Sequence, residues 1–416
     1  MINELLWFPT NKCLINGSWE QPKTKAEIDL INPSDGKSLC HIARASENEV
    51  QNAVMAAHGA LSACWGKKTA VERGRILLKI SKLVIKYGEK LAFLESLDVG
   101  KPISQAKNDV VALARYLEFY GGAADKIHGT TIPFQNDFTV YGVRERLGVT
   151  AHIIPWNYPM QIIGRSISAS LAMGNACVLK PSEEACLTAL AFGEIAREAG
   201  LPDGALNIIP GFGSEAGQAL ASNNRVNHIS FTGSLQTGTL IQTAAAKNVV
   251  ATTLELGGKS PQIVFNDANL DRAIPFLVNA GIQNSGQTCS ASSRILVQEN
   301  IYNNVVERMS EVYKKLRVAP AIEDCEMGPV ISKRQMKIIS SYIDQSSDLN
   351  LCAQGSMTKS IGKKGYYVTP KLFKTDNYFH PLAQEEIFGP IQIVIPFKDD
   401  EEAVKIANST EYGLVA

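Results

Sequence analysis

The chain has no excess of charge of either sign, with 41 basic residues against 41 acidic ones. That balance removes the electrostatic argument for a nucleic-acid or anionic-membrane partner. It contains no apolar run of about 18 residues, the length that would read as a membrane-spanning helix. The opening residues, Met1-Ile-Asn-Glu-Leu-Leu-Trp-Phe-Pro9, lack the basic region and long apolar core of a secretory signal. Eight cysteines are scattered without a Cys-x-x-Cys pair, so neither a zinc ribbon nor a disulfide framework is expected, and a reducing, cytoplasmic compartment is. Six histidines are too few and too dispersed to nominate a metal site, and none is expected. No internal repeat or low-complexity tract stands out.

What is present is ordinary globular material, 45% hydrophobic and 20% charged. At 416 residues it is too long for one core, so two or three domains are expected. Leu14-Ile-Asn-Gly-Ser-Trp19 reads as a hairpin-like turn, and helical spacing takes over from about Ser46 to Leu97 and again over 104–122. Residues 128–149 alternate in a way that predicts an exposed β-ribbon. From 149 to 265 short strand runs alternate with helical ones: strands at 149–154, 176–180, 205–209, 228–231 and 252–256, helices at 161–173, 188–199, 215–221 and 238–246. This order predicts right-handed βαβ units and a mainly parallel sheet. A second α/β unit begins after Gly257, with helices over 270–284, 301–316 and 333–347.

Residues 284–294, Asn-Ser-Gly-Gln-Thr-Cys289-Ser-Ala-Ser-Ser-Arg294, set one cysteine among small and polar neighbours. Small neighbours leave room at the sulfur, and Gly286 permits a sharp backbone path. A lone cysteine is more often an inert small hydrophobe than a nucleophile. Glu255-Leu-Gly-Gly-Lys-Ser-Pro261 changes the balance by adding a carboxylate beside another glycine-rich turn. Both stretches, with Pro155-Trp-Asn157-Tyr-Pro159, Lys180-Pro-Ser-Glu183, Phe231-Thr-Gly233-Ser234 and Glu386-Ile-Phe388-Gly-Pro390, resemble in order and spacing the motifs of the NAD(P)-dependent aldehyde dehydrogenase superfamily. The resemblance runs from about Leu14 to Ala416.

The resemblance implies an α/β fold with two open, mainly parallel domains: residues 1–124 and 147–256 as a discontinuous NAD-binding domain and 257–416 as the catalytic domain. Residues 125–146 would be a projecting β-ribbon for homo-oligomers, dimers or tetramers. It implies acid-forming oxidation of a small-molecule aldehyde, with Cys289 as nucleophile, Asn157 and the Cys289 N–H as oxyanion donors, and Glu255 as general base. It implies cofactor contacts from Ile154, Pro155, Trp156, Lys180, Ser182, Glu183, Gly213, Phe231, Gly233, Ser234, Leu256, Glu386 and Phe388. Glu183 would repel a 2′-phosphate, so NAD is expected ahead of NADP.

Each residue also has a plainer reading. Asn157 suits a turn, and Lys180 and Glu183 suit a solvated helix start. Ser234 suits a helix cap as well as a phosphate site. Glu386 and Phe388 taken alone are a surface carboxylate and a core aromatic. A Rossmann fingerprint is missing: Gly211-Phe-Gly213-Ser-Glu-Ala-Gly217 has one residue too many and reads better as a turn and helix start. Arg294 is expected to anchor the loop after the cysteine, and Lys259 to be structural. Trp156, Tyr158 and Met160 border either the substrate entrance or the core.

Family members usually continue past Glu411-Tyr-Gly-Leu-Val-Ala416 through another glycine-rich segment and a final strand. The expectation is a fragment or a shortened form, with lower activity or solubility than a full-length relative. The alternatives are a non-catalytic NAD-binding scaffold and a coenzyme-A-acylating dehydrogenase, the latter disfavoured by Glu255.

Overall fold

The strands Val149–Ile153 and Ala176–Lys180 bury every residue, the pattern of strands at the middle of a parallel sheet covered on both faces. The computed structural model, which describes residues 2–416, sets them at the centre of a seven-stranded sheet. Its order is 251–255, 228–232, 149–153, 176–180, 206–208, 13–15, 18–20. The first five run parallel. Cys13–Ile15 and Ser18–Glu20 close the far edge as the antiparallel hairpin expected from Leu14 to Trp19. Asn16 and Gly17 carry the positive φ that its turn requires.

The alternating helices are as expected, with ends moved by their caps. The helix expected from 161 starts at Pro159, because proline at the first helical position loses no needed N–H. The helix expected from 238 starts at Leu235, since the Ser234 hydroxyl already accepts from the Thr237 N–H. The stretch from 46 to 97 resolves into helices Glu47–Ser62, Ala70–Lys86 and Gly88–Val99. Ser46 with Glu49 and Thr69 with Glu72 form capping boxes at the first two. The run 215–221 is a single wide turn, Gly213–Gly217, followed by four residues of helix, Gln218–Ala221.

Two compact units result. The first comprises 1–30, 40–94 and 107–255 and holds the seven-stranded sheet. Within it Thr130–Ile132 pairs antiparallel with Val140–Gly142 as an exposed ribbon. The second comprises 31–39, 95–106 and 256–416. Its five-stranded sheet has the order 261–264, 294–298, 391–397, 371–374, 350–354, parallel except for the last pair. Its core packs helices Leu270–Ile282 and Tyr302–Tyr313 on one side, through Leu277, Val305 and Met309. Ile339, Phe397 and Ile406 form a second cluster.

Candidate active site

In the second unit, the helix Leu270–Ile282 ends one residue short of the small-residue run, and the chain then turns left-handed. Asn284, Ser285 and Gly286 take φ of 48, 57 and 73° in succession. Two of these are not glycine, and such a run costs conformational energy that its surroundings must offset. Buried polar contacts supply the offset. The Asn284 N–H donates to Gln105 Oε1 (2.9 Å), and the Ser285 hydroxyl donates to the Gly328 carbonyl (2.8 Å). Gln287, fully buried, donates from Nε2 to the Asn284 carbonyl (3.0 Å) and accepts the Ile331 N–H at Oε1 (2.9 Å). A Cβ on Gly286 would lie 2.2 Å from the Gly389 carbonyl oxygen, so glycine is required there for space as well as for φ. Cys289 follows, half-buried.

Arg294 does what its place in the sequence suggests. Buried, it donates to the Lys259 carbonyl (3.0 Å) and to the Ile406 and Ala407 carbonyls (2.9 and 2.8 Å). The last two lie in the final turn of helix Asp400–Ala407, where a cation is favoured at the negative end of the helix dipole. The Gly257-Gly-Lys259 turn meets Glu386, whose Oε1 accepts the Gly258 N–H at 3.1 Å. A Cβ on Gly257 would sit 2.2 Å from Glu386 Oε2. Burial raises the Glu386 carboxyl, while the Gly258 N–H and Lys259 oppose the shift. Phe388 adopts a positive φ of 54°, and its carbonyl accepts from Gln335 Nε2 (2.9 Å). Lys259 is buried, and its Nζ has no hydrogen-bond partner. Burial, with Arg294 adding, pulls it down to about 7.

In the first unit, the strand register sets two of the nominated positions, Lys180 and Phe231, in one row at one edge. Ile153 pairs with Lys180 and with Phe231, and Phe231 with Leu254. This row is the carboxyl end of the parallel strands, where open α/β sheets take ligands. Ile154 and Pro155 follow one strand, and Ser182 and Glu183 another. Lys180 is buried, and its Nζ contacts Glu183 at 3.0 Å. Burial lowers the lysine and Glu183 opposes that shift. The Gly233 N–H is taken by the Glu255 carbonyl (3.0 Å), and Ser234 caps a 12-residue helix. Gly213 is exposed with open space around it. A carboxyl-edge row with a long helix N-terminus and a buried lysine fits a dinucleotide.

Asn157 is buried, 7% exposed, on the turn between Pro155 and Pro159, while Trp156 is half-buried. Tyr158 and Met160, left open between the entrance and the core, are buried at 8 and 0% exposure, so Met160 belongs to the core. Glu255 is exposed at the end of strand Ala251–Glu255. It borders a groove of about 350 Å³ that also contains Arg165, His152 and His228. Sequence reading did not single out these three. The signal was the spacing Ile162, Arg165, Ser166, Ala169, one face of a helix. Among the described residues no cluster suited to a metal ion occurs, and no helix is long and apolar enough to cross a membrane.

The sequence from 19 to 416 matches the model of the aldehyde dehydrogenase family. The chain is 39% identical over 420 residues to aldehyde dehydrogenase family 2 member B4, mitochondrial, of Arabidopsis thaliana, covering all of this chain and 78% of that protein. It is also 39% identical to retinal dehydrogenase 2 of Mus musculus, over 97% of this chain and 79% of that one. Its fold superposes on the NAD+ complex of a Bacillus cereus aldehyde dehydrogenase with a TM-score of 0.94 and 35% identity, covering 97% of this chain and 83% of that one. Betaine aldehyde dehydrogenase of Staphylococcus aureus in complex with NAD+ gives 0.95 and 34%, over 99 and 82% of the two chains. With that match spanning the sheet edge, the cysteine loop and the Glu255 strand alike, the chain belongs to the aldehyde dehydrogenase family.

Proposed function

We propose that the chain oxidises an aldehyde to its carboxylic acid with NAD, through Cys289 and Glu255. The observation that carries this reading is the Cys289 loop, in which three left-handed residues are held by buried amide and hydroxyl contacts immediately before a half-buried thiol. Strain held in this way belongs to sites that must present one group in one direction.

A thiolate at Cys289 adds to the carbonyl carbon and forms the C–S bond of a thiohemiacetal. The Asn157 amide and the Cys289 N–H donate to its oxyanion. NAD, when bound, supplies the acceptor for the hydride that leaves this carbon. Cys289 then carries a thioester. Glu255 takes a proton from the water that attacks it, and the acid departs as the thiol is restored. Lys180, Ser182 and Glu183 hold the adenosine ribose, and the edge formed by Ile154, Pro155, Trp156, Gly213, Phe231, Gly233, Ser234 and Leu256 receives the rest of the nucleotide. Glu386 and Phe388 serve the nicotinamide end.

Residues 1–124 and 147–256 serve as the cofactor-binding domain and 257–416 as the catalytic domain. The ribbon at 125–146 joins copies into a homo-oligomer, a role supported by the exposure of Phe134, Phe138 and Tyr141. A cytoplasmic location is supported by the scattered cysteines.

The test is NADH formation by the purified chain with aliphatic, aromatic and amino aldehydes, using NAD and NADP in parallel and Cys289→Ala as control. Acid-producing turnover that vanishes in the control is the expected result. A folded, NAD-binding chain that reduces no NAD with any aldehyde would overturn the reading.

A further inference from the structure

The turn Gly213–Gly217 is five residues long and wider than a helical turn, a form that recurs at functional positions. Within it only Ala216 and Gly217 are buried, while Gly213 and Ser214 are exposed and Glu215 is half-buried. The Glu215 and Gly217 N–H groups share one acceptor, the Phe212 carbonyl, at 3.2 and 3.3 Å. A segment with so little burial opens easily unless something holds it. Its far end nevertheless meets the cofactor edge. A Cβ on Gly217 would lie 3.8 Å from Cδ and 4.0 Å from Cε of Lys180, so the turn rests on the stem of that buried lysine.

The hold comes from Arg44, which stands between strand Ser38–Ala43 and helix Glu47–Ser62. Its N–H donates to the Ala26 carbonyl (3.0 Å), and the neighbouring Ala45 N–H donates to the Pro210 carbonyl (2.8 Å). Ser46 then opens the capping box of a 16-residue helix. The backbone at Arg44 is thus fixed from both sides. From this post the guanidinium donates through Nε to Glu215 Oε2 (2.9 Å) and through Nη2 to Glu215 Oε1. It also lies over the Phe212 ring, 5.0 Å from the ring centre. An exposed ion pair is ordinarily worth little. A bidentate pair with a stacked ring does more, because the planar fork fixes direction as well as distance.

We infer that Arg44 is a positioning residue for the cofactor: by gripping Glu215 and Phe212 it holds the turn Gly213–Gly217 down on Lys180 and closes the adenosine end of the site. The inference rests on the proposed function only in placing the adenosine at Lys180. Arg44 touches the turn, and its effect on the nucleotide passes through the turn. No bond is made or broken at it, so it acts on cofactor affinity and leaves the chemical step alone.

The test is calorimetric titration of the full chain with NAD and with ADP-ribose, beside steady-state kinetics in NAD at saturating aldehyde. Arg44→Leu, Arg44→Lys, Glu215→Gln and the double variant Arg44→Leu/Glu215→Gln are compared with the wild type. Arg44→Leu is expected to raise the Kd of NAD and of ADP-ribose alike by about three- to tenfold, the range of one exposed charged pair with its stacked ring. KM for NAD should rise with them, while kcat at saturating NAD does not fall. Arg44→Lys keeps the charge without the fork and should recover part of the loss. The double variant should bind no more weakly than Arg44→Leu alone, since both changes break one pair. Thermal melting confirms that the variants fold. An ADP-ribose Kd unmoved by Arg44→Leu, or a kcat that falls while KM stays, overturns the inference and leaves the dehydrogenase reading standing. Arg44-dependent ADP-ribose binding without turnover of any aldehyde supports the inference and removes the dehydrogenase reading instead. A wild type that binds neither NAD nor ADP-ribose overturns both.

Discussion

The loop that carries Cys289 and the strand that carries Glu255 are built by opposite means. The loop runs through three consecutive left-handed residues, and Asn284, Ser285 and Gln287 are almost completely buried within it. The strand Ala251–Glu255 is regular and alternates exposed and half-buried, with Glu255 open to the groove. A nucleophile, the role proposed for Cys289, works from one fixed direction, and many buried contacts over-determine the backbone before it. A general base, the role proposed for Glu255, has to meet water, and regular pairing sets its position while its side chain stays exposed. The lesson is that stability and chemistry should separate in the strand and coincide in the loop.

That contrast can be broken by substitution. Glu255→Gln is expected to slow acid formation by about 100- to 10,000-fold, the range of general-base catalysis. A single stoichiometric burst of NADH should remain, and urea unfolding should move by less than about 0.5 kcal/mol. A stability loss matching the activity loss would contradict the contrast. Gly286→Ala should destabilise by about 2–4 kcal/mol, because a Cβ meets both a positive φ and the Gly389 carbonyl. Denaturant unfolding measures it, and turnover should fall in parallel. Gln287→Leu takes the acceptor from the buried Ile331 N–H and one of two donors from the Asn284 carbonyl, which keeps the backbone N–H of residue 287. A cost of about 1–3 kcal/mol is expected, with a lower kcat.

The smallest effect sharpens the comparison through pH. The folded value of Lys259, about 7, lies below the ordinary 10.5. Between those values the unfolded chain binds the extra proton, so stability rises with pH across this window and, as pH falls, is lost from about 10.5 down to about 7. Lys259→Met should therefore stabilise the chain by about 1–2 kcal/mol near pH 6 and hardly at all near pH 11. Melting curves at the two pH values decide it. A variant no more stable at the lower pH would show that the ammonium has a partner in solution.

Much of this architecture was legible before any coordinates. The hairpin at Leu14–Trp19 and the strand–helix alternation from Val149 onward follow from periodicity and turn residues. The anchoring role of Arg294 was read correctly, because a cation just beyond a small-residue loop has few other uses. Met160 was left open between the entrance and the core, since a methionine near a motif looks the same in sequence whether it lines a pocket or fills a core, and its burial decides for the core. Lys180 and Glu183 were placed on a strand and the turn after it, but their contact with each other at 3.0 Å was not visible. The groove around Arg165 was missed because its polar face is spread over three strands and a helix. No local window contains it.

By itself, the sequence determined the alternation of strands and helices, the family motifs and the residue types available for chemistry, because these depend on local periodicity and order along the chain. Only the tertiary structure decided which residues share a surface. It brought residues 31–39 and 95–106 into the second unit, joined Gln105 to Asn284 and Ser285 to Gly328, and left His152 facing a groove. The physical reason is that register and burial arise from pairings between distant segments, and a single strand's own pattern carries no record of its partner.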